Sequence, residues 1–256
     1  MSSDFERASA FEEAVRDACA ERVVPSPLGT ALFNDTLSRV WSLNVLRVDA
    51  KEAQAHELAT EAERLQSGLQ HRRVLLKDQG LGRRLEKPLT ELGWKTDAFV
   101  FMAYRRAPAR AVDASIVVEV EAEDLRPLHE CIARETIPDV DEETVGQIME
   151  AEALAARAVN VRHFAVPVDG EVVSSTDLYS DGRTAQVEDV VTYPEHRGHG
   201  YASAVVMRAV EEARRDHDFV FLVADSRDWP KELYRRLGFD SLGEKYAYTL
   251  SPVEAG

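Results

Sequence analysis

The sequence predicts an α/β chain, in the broad sense that includes α+β, folded as two similar halves. Three observations predict it. Apolar residues alternate along the chain between the 3.6-residue period of amphipathic helices and short apolar runs that suit strands. The order of these segments then recurs. Leu92-Gly93-Trp94 lines up with Leu237-Gly238-Phe239, an offset of 145 residues (237 less 92). Without a gap, Val74-Leu75-Leu76 falls on Phe219-Val220-Phe221, and residues 44–48 fall on 189–193. Finally, Asp169-Gly170 stands between two apolar runs, a hairpin signal because glycine tolerates the positive φ of a type I′ turn.

Taken in order, residues 4–20 read as an amphipathic helix with Phe11, Ala14, Val15 and Ala18 on one stripe, and Pro25, Pro27 and Gly29 break the helical pattern beyond it. Residues 43–48, 72–77 and 98–104 read as strands, and 51–66 and 81–92 as helices, the latter ending at Gly93. The segment RRAPARAVDA at 105–114 is short and non-periodic, which makes it the linker. The expected division is residues 1–106, a linker at 107–114, and residues 115–256. In the second part, 115–120, 162–168, 171–177 and 184–193 read as strands, with helices at 124–134 and 142–159. A helix at 200–215 comes next, then a strand at 219–224 whose six consecutive apolar residues suggest burial on both faces. Pro230–Leu237 reads as a helix and 246–250 as the last strand.

Composition narrows the function. The chain has 256 residues with 45% hydrophobic and 30% charged, enough to bury real cores. A net charge of −15 argues against a nucleic-acid partner, since no basic stripe interrupts it. No apolar run reaches the length of a membrane span, so no membrane partner is expected. The first residues lack the basic and apolar regions of a secretory leader. Cys19 and Cys131 form no disulfide framework or CxxC pair, so a reducing cytoplasm is the expected location.

The segment that carries chemistry is VEDVVTYPEHRGHGYA, residues 187–202. A strand runs into Tyr193-Pro194, a turn holds Arg197-Gly198-His199-Gly200, and a helix succeeds it with Ala202, Val205, Val206, Ala209, Val210 and Ala213 on one face. Strand, glycine turn and helix N-terminus form an anion cradle, because backbone N–H groups converge there and the helix dipole favours negative charge. The chain has neither the GxxxxGK[ST] of a P-loop nor the GxGxxG of a dinucleotide fold. It carries R-x-x-G-x-A at Arg197, Gly200 and Ala202, which resembles the coenzyme A signature of the Gcn5-related N-acetyltransferase (GNAT) superfamily. Leu233-Tyr234-Arg235-Arg236-Leu237-Gly238-Phe239 resembles that superfamily's late Tyr…Gly-Phe motif. The resemblance covers roughly residues 113–250. One departure is Ser226-Arg227-Asp228-Trp229-Pro230, where many members carry an Asn and a small residue; Asp228 is the expected helix cap there, with Pro230 in the first turn.

The resemblance implies a mixed, mostly antiparallel central sheet flanked by helices in each half, with acetyl-CoA as co-substrate and no metal. It implies that the turn at Arg197, Gly198, His199, Gly200, Tyr201 and Ala202 holds the pyrophosphate. Main-chain groups of Val190, Val191, Thr192 and Tyr193 would line the pantetheine arm where the fourth and fifth strands splay, and an N–H near Val191 would stabilise the oxyanion. Tyr234 matches the tyrosine that protonates the departing thiolate, as against a tyrosine that only packs. Glu188 is the first candidate for general base, as against a structural ion pair; strand alternation sets it and Asp189 on opposite faces. Asp225 and Asp228 are lesser candidates. His196 and His199 read better as phosphate-turn side chains than as metal ligands, and Cys131 better as a half-buried helix residue than as an acyl carrier.

At the same offset Arg197 falls on Glu52, Gly200 on Ala55, Glu188 on Leu43 and Tyr234 on Leu89. A glycine-free, acidic turn cannot cradle a pyrophosphate. The first half therefore reads as a degenerate copy that braces the second or walls its substrate cleft. The expected activity is transfer of an acetyl group to an amine, on a small molecule or a peptide, by direct attack in a ternary complex. The alternative is a non-catalytic CoA-binding regulatory or scaffold protein. The acceptor's identity and the oligomeric state, with a homodimer as one arrangement, stay open in the sequence.

Overall fold

The computed structural model describes residues 3–251. The first half runs α1 (Ser3–Ala18), β1 (Arg22–Ser26), β2 (Gly29–Phe33), β3 (Val45–Val48), α2 (Ala55–Gln66), β4 (Arg72–Leu76), α3 (Gln79–Glu91) and β5 (Lys95–Tyr104). The second runs β6 (Val118–Val120), α4 (Ala122–Thr136), α5 (Glu142–Ala158), β7 (Asn160–Val168), β8 (Glu171–Ser180), β9 (Thr184–Thr192), α6 (Tyr201–Asp216), β10 (Phe219–Asp225), α7 (Pro230–Leu237) and β11 (Phe239–Leu250). This is the mixed, mostly antiparallel, helix-flanked architecture that the resemblance implies, except that one sheet takes the place of one in each half.

All eleven described strands share one sheet, in the order β1-β2-β3-β4-β11-β5-β10-β9-β8-β7-β6. The last strands of the two halves are exchanged. β11 leaves the second half to pair antiparallel with β4, Tyr246 opposite Leu76, and β5 leaves the first to pair antiparallel with β10, Met102 opposite Leu222. The exchanged strands pair with each other at the centre, from Phe239↔Tyr104 to Thr249↔Lys95. The halves are thus separate in sequence and continuous in space.

Three apolar clusters hold this arrangement. α2 and α3 cover one face of the first half through Leu58, Ala62, Leu81, Leu85 and Leu89, against Leu46, Val74, Leu76 and Tyr248. In the second half α6 lays Val205, Val206, Ala209 and Val210 on the sheet, as their i, i+3, i+4 spacing requires, with α4 and α7 beside it. On the opposite face α1 crosses the seam with Phe5, Ala8 and Phe11 packed on Phe101, Phe219 and Phe221. Ala14 and Ala18, expected on that stripe, are exposed. The wetter side of α1 is tied down by charge: Lys245, buried on β11, donates to Glu12 at 2.7 Å and Glu13 at 3.0 Å.

The hairpin at Asp169-Gly170 forms with positive φ at both residues, 52° and 87°, as a type I′ turn demands. The segment expected as a linker is fastened to the C-terminal end of α7. Arg105 N and Arg106 N donate to Gly238 O, Ala109 N donates to Arg236 O, and the Arg106 guanidinium pairs with Asp240. Gly238 sits at φ 104°, and a Cβ there would lie 1.9 Å from the Arg106 carbonyl oxygen. A left-handed conformation alone costs a non-glycine residue about 1–3 kcal/mol. Gly238→Ala should therefore lower Tm by at least about 2 °C, measured by thermal circular dichroism.

Candidate active site

The site is built where β9 and β10 part. Their parallel pairing begins at Thr184↔Phe219 and ends at Val187↔Leu222, while β9 continues to Thr192 and β10 to Asp225. From residue 188 onward, no strand among the described residues pairs with the edge of β9 that faces β10. The corresponding pair in the first half stays closed: β3 and β4 pair up to Val48↔Leu76, where both strands end.

Beyond the open edge lies the glycine turn. Gly198 and Gly200 both have left-handed φ, 83° and 84°, and a Cβ at either would meet nothing within 4 Å. The backbone conformation is the reason for glycine at both positions. Gly200 is the N-cap of α6 and supplies no side chain to its N-terminal amides, which are left for an external acceptor. Tyr201 and Ala202 form the first turn, and the His199 ring stacks on Tyr201 at 5.6 Å between centroids. Arg197 differs from the expectation. Its amide donates to Pro194 O, and its guanidinium donates to Glu135 at 2.9 and 2.5 Å and to Thr192 O at 3.2 Å. Arg197 therefore anchors the turn to α4, and its amide is not one of the free donors. In the first half the matching helix end is filled by its own side chains: α2 starts with a capping box in which Glu57 Oε2 accepts from Gln54 N at 2.8 Å.

Val190, Val191 and Thr192 lie on the unpaired length of β9. A bulge against β8 stands at its start, between the pairs Ser175↔Val191 and Asp177↔Glu188. Asp189 takes up the irregularity with φ 48°, so strict alternation, and the opposite-face argument that rests on it, does not hold through this residue. Sequence reasoning had no signal for the bulge. Thr176 clamps it by donating to Glu188 O at 2.7 Å.

Glu188 is half-buried, and its Oε2 accepts from Gln186 Nε2 at 2.5 Å. Burial, and next the Asp189 carboxylate, hold its carboxyl well above the usual range, against the Gln186 hydrogen bond. Asp189 itself is pushed up to about 7 by burial and then by Asp177 and Glu152. Tyr234 is buried in the cluster on the α6 side with Phe239 edge-on to it, and among the described residues no group bonds its hydroxyl. Burial raises its phenol, and so does the charge of Glu188, which keeps the O–H in place at neutral pH. The two candidates therefore stand on opposite faces of the sheet beside one opening. Asp225 lies at the end of β10 with its Oδ1 taken by Arg227 N, and Asp228 accepts from the adjacent Trp229 N instead of capping α7.

Two neighbours escaped sequence reading. A cavity of about 310 Å³ opens beside Glu188 on the α1 side, walled by Glu12 and Arg16 of α1, Arg73 of β4 and Lys245 of β11. A second polar group joins α4, α5, β7 and β8: His129 contacts Glu152 at 2.9 Å and Ser175 at 3.1 Å, and His163 contacts Asp177 at 2.7 Å. Burial lowers the His129 ring, but Glu152 together with Asp189 and Asp177 turns the net direction up. Cys131, on the same helix, is half-buried, as the sequence suggests.

Comparison with known proteins agrees with this geometry. The model of the acetyltransferase (GNAT) family matches residues 122–239. Among solved structures, the chain is similar to a functionally unknown conserved protein from Staphylococcus epidermidis, with a TM-score of 0.70 at 13% identity over 91% of this chain and 95% of that one. It is similar to a GCN5-related N-acetyltransferase from Kribbella flavida, with a TM-score of 0.64 at 17% identity over 99% and 97%. It is also similar to a tandem GNAT protein from the clavulanic acid biosynthesis pathway, with a TM-score of 0.54 at 14% identity over 91% and 83%. At these identities the likeness is one of fold. None of the curated proteins matches the chain. The likeness to the acetyltransferase (GNAT) family thus lies in the second half of the chain, over residues 122–239.

Proposed function

We propose that the second half transfers an acetyl group from acetyl-CoA to an amine by direct attack in a ternary complex. One observation carries the reading: β9 and β10 separate after Val187↔Leu222, directly ahead of a turn whose two glycines are left-handed at an uncapped helix N-terminus. The slot suits a thin arm, and the turn suits its diphosphate. The bound thioester supplies the acetyl group, and the rest is done by this chain. The amides of Gly198, His199, Gly200, Tyr201 and Ala202 bind the anion. Val190, Val191 and Thr192 offer the strand edge, and an N–H beside the bulge polarises the carbonyl. Glu188 takes the proton of the attacking amine, directly or through water, and Tyr234 gives its O–H proton to the leaving sulfur. On this reading the first half binds no coenzyme, consistent with its closed β3–β4 pair and self-capped α2.

Two measurements test it. Calorimetry should give one acetyl-CoA site per chain, and Gly198→Val with Gly200→Val should weaken it at least tenfold, because each forces a β-branched residue toward left-handed φ at about 1–2 kcal/mol. The space around both positions is open, so the variant should still fold. Unchanged affinity would remove the cradle. Tyr234→Phe should lower kcat by about 10²-fold with little change in acetyl-CoA affinity, in the range of lost proton transfer; an unaltered kcat removes its role. Thioester consumption over an amine panel separates this reading from a CoA-binding scaffold.

A further inference from the structure

The lining of the cavity beside Glu188 sets three cations, Arg16, Arg73 and Lys245, against three acids, Glu12, Glu188 and Asp225, and one of its guanidinium groups keeps a donor unspent. Arg16 donates through Nη2 to Glu12 Oε1 at 2.6 Å and through Nε to Ser42 O at 3.2 Å. Its Nη1 is buried and has no partner among the described residues. A buried guanidinium donor left unpaired costs free energy, and a ligand that satisfies it recovers that cost. Glu12 serves Arg16 and Lys245 together, and Lys245 also takes Glu13. Arg73, a second wall of the cavity, donates to Asp97 at 3.1 Å and Thr249 at 2.6 Å. Burial pulls the Arg73 guanidinium down, and the charge of Arg16 is among the causes, which places two cations within reach of each other.

Resting on the transferase reading above, we infer that the acceptor is a small amino acid-like molecule, whose carboxylate is held by Arg16 with Arg73 behind it while its amine faces Glu188. A guanidinium matches a carboxylate in shape and charge. About 310 Å³ is at the small end of ligand pockets, which suits a metabolite better than a polypeptide chain. The first half then has a definite task. It contributes Arg16 and Arg73, the anion-binding end of the acceptor pocket, while the second half contributes the base.

The test uses the whole chain and matched acceptors: a panel of free amino acids, the C-terminal amide of each, and the amines lacking the carboxyl group. The free acids should be acetylated with kcat/KM at least tenfold above their amides. Arg16→Gln should raise KM for the acids at least tenfold, leave acetyl-CoA affinity by calorimetry unchanged, and abolish the preference over the amides; Arg16→Lys should restore part of it. If Arg16→Gln does not fold, the comparison on the unaltered chain decides. Amides and simple amines used as well as the acids would overturn the inference and leave the transferase standing. Acetyl-CoA bound but consumed with no amine would overturn the transferase reading, and the inference with it.

Discussion

Divided after residue 106, the chain should yield two pieces that do not fold. Residues 1–106 without β11 would leave β4 with a bare edge carrying Val74 and Leu76, both fully buried in the intact chain. They would also leave β5 without β10 and β11, its partners on both sides. Residues 107–256 would lose β5 from β10, and α1 from the aromatic face of Phe219 and Phe221. Uncovered hydrophobic edges pair with other chains, so aggregation is the expected outcome. The intact protein should unfold in one transition, with fluorescence of Trp94 (buried in the first half) coincident with far-ultraviolet circular dichroism. A soluble fragment that melts cooperatively on its own would contradict this.

Glu188→Gln should have the largest effect on turnover. An amide cannot accept the amine proton, and loss of a positioned base typically costs 10²–10⁴-fold. kcat should drop by about that much while acetyl-CoA binding holds. The pH profile carries a second signature. Burial and the neighbouring Asp189 raise the Glu188 carboxyl, so it stays protonated, and unable to act, to a higher pH than an ordinary glutamate. Activity should therefore fall on the acid side at a pH above the usual carboxylate range. Asp189→Asn removes one of the charges that raise it and should move this acid limb down. The same linkage makes Asp189 costly to stability in a known direction. Its carboxyl goes from an ordinary 3.8 to about 7 on folding, so the penalty is absent below pH 3.8, grows as pH rises and is full above 7. The Asn variant should gain Tm at pH 8 and not at pH 3.5. A limb that stays put in both variants would assign the base elsewhere.

Much of this fold was legible because local chemistry dictates it. The α6 stripe, the Asp169-Gly170 turn and the paired glycines Gly93 and Gly238, both left-handed, could be read from residue types alone. The β1–β2 hairpin was not. Pro25 and Gly29 look like breakers, but Pro25 lies on the outermost strand, where a missing N–H is tolerated. The full length of β11 was hidden by Asp240, Ser241, Gly243 and Glu244, and by a lysine that is buried only because α1 supplies two carboxylates. The strand exchange was invisible for a different reason. A repeat in sequence says which segments are alike and nothing about which copy each one joins. The glycine turn and Tyr234 were readable as motifs, whereas the bulge at Asp189 and the free donor of Arg16 depend on contacts across the whole molecule.

Because β5 and β11 trade places, each half closes its barrier against water with a piece borrowed from the other. The front portion is therefore bound to its shape by the strand it lends. Its β5 could not be shortened without unseating β10 and β11 of the other half. On the acceptor reading inferred above, such interlocking also fixes Arg16 and Arg73 on one side of the cavity and Glu188 on the other to one frame. The spacing between them is then a property of the shared middle strands, and evolution could retune the size of molecule admitted by adjusting that seam alone.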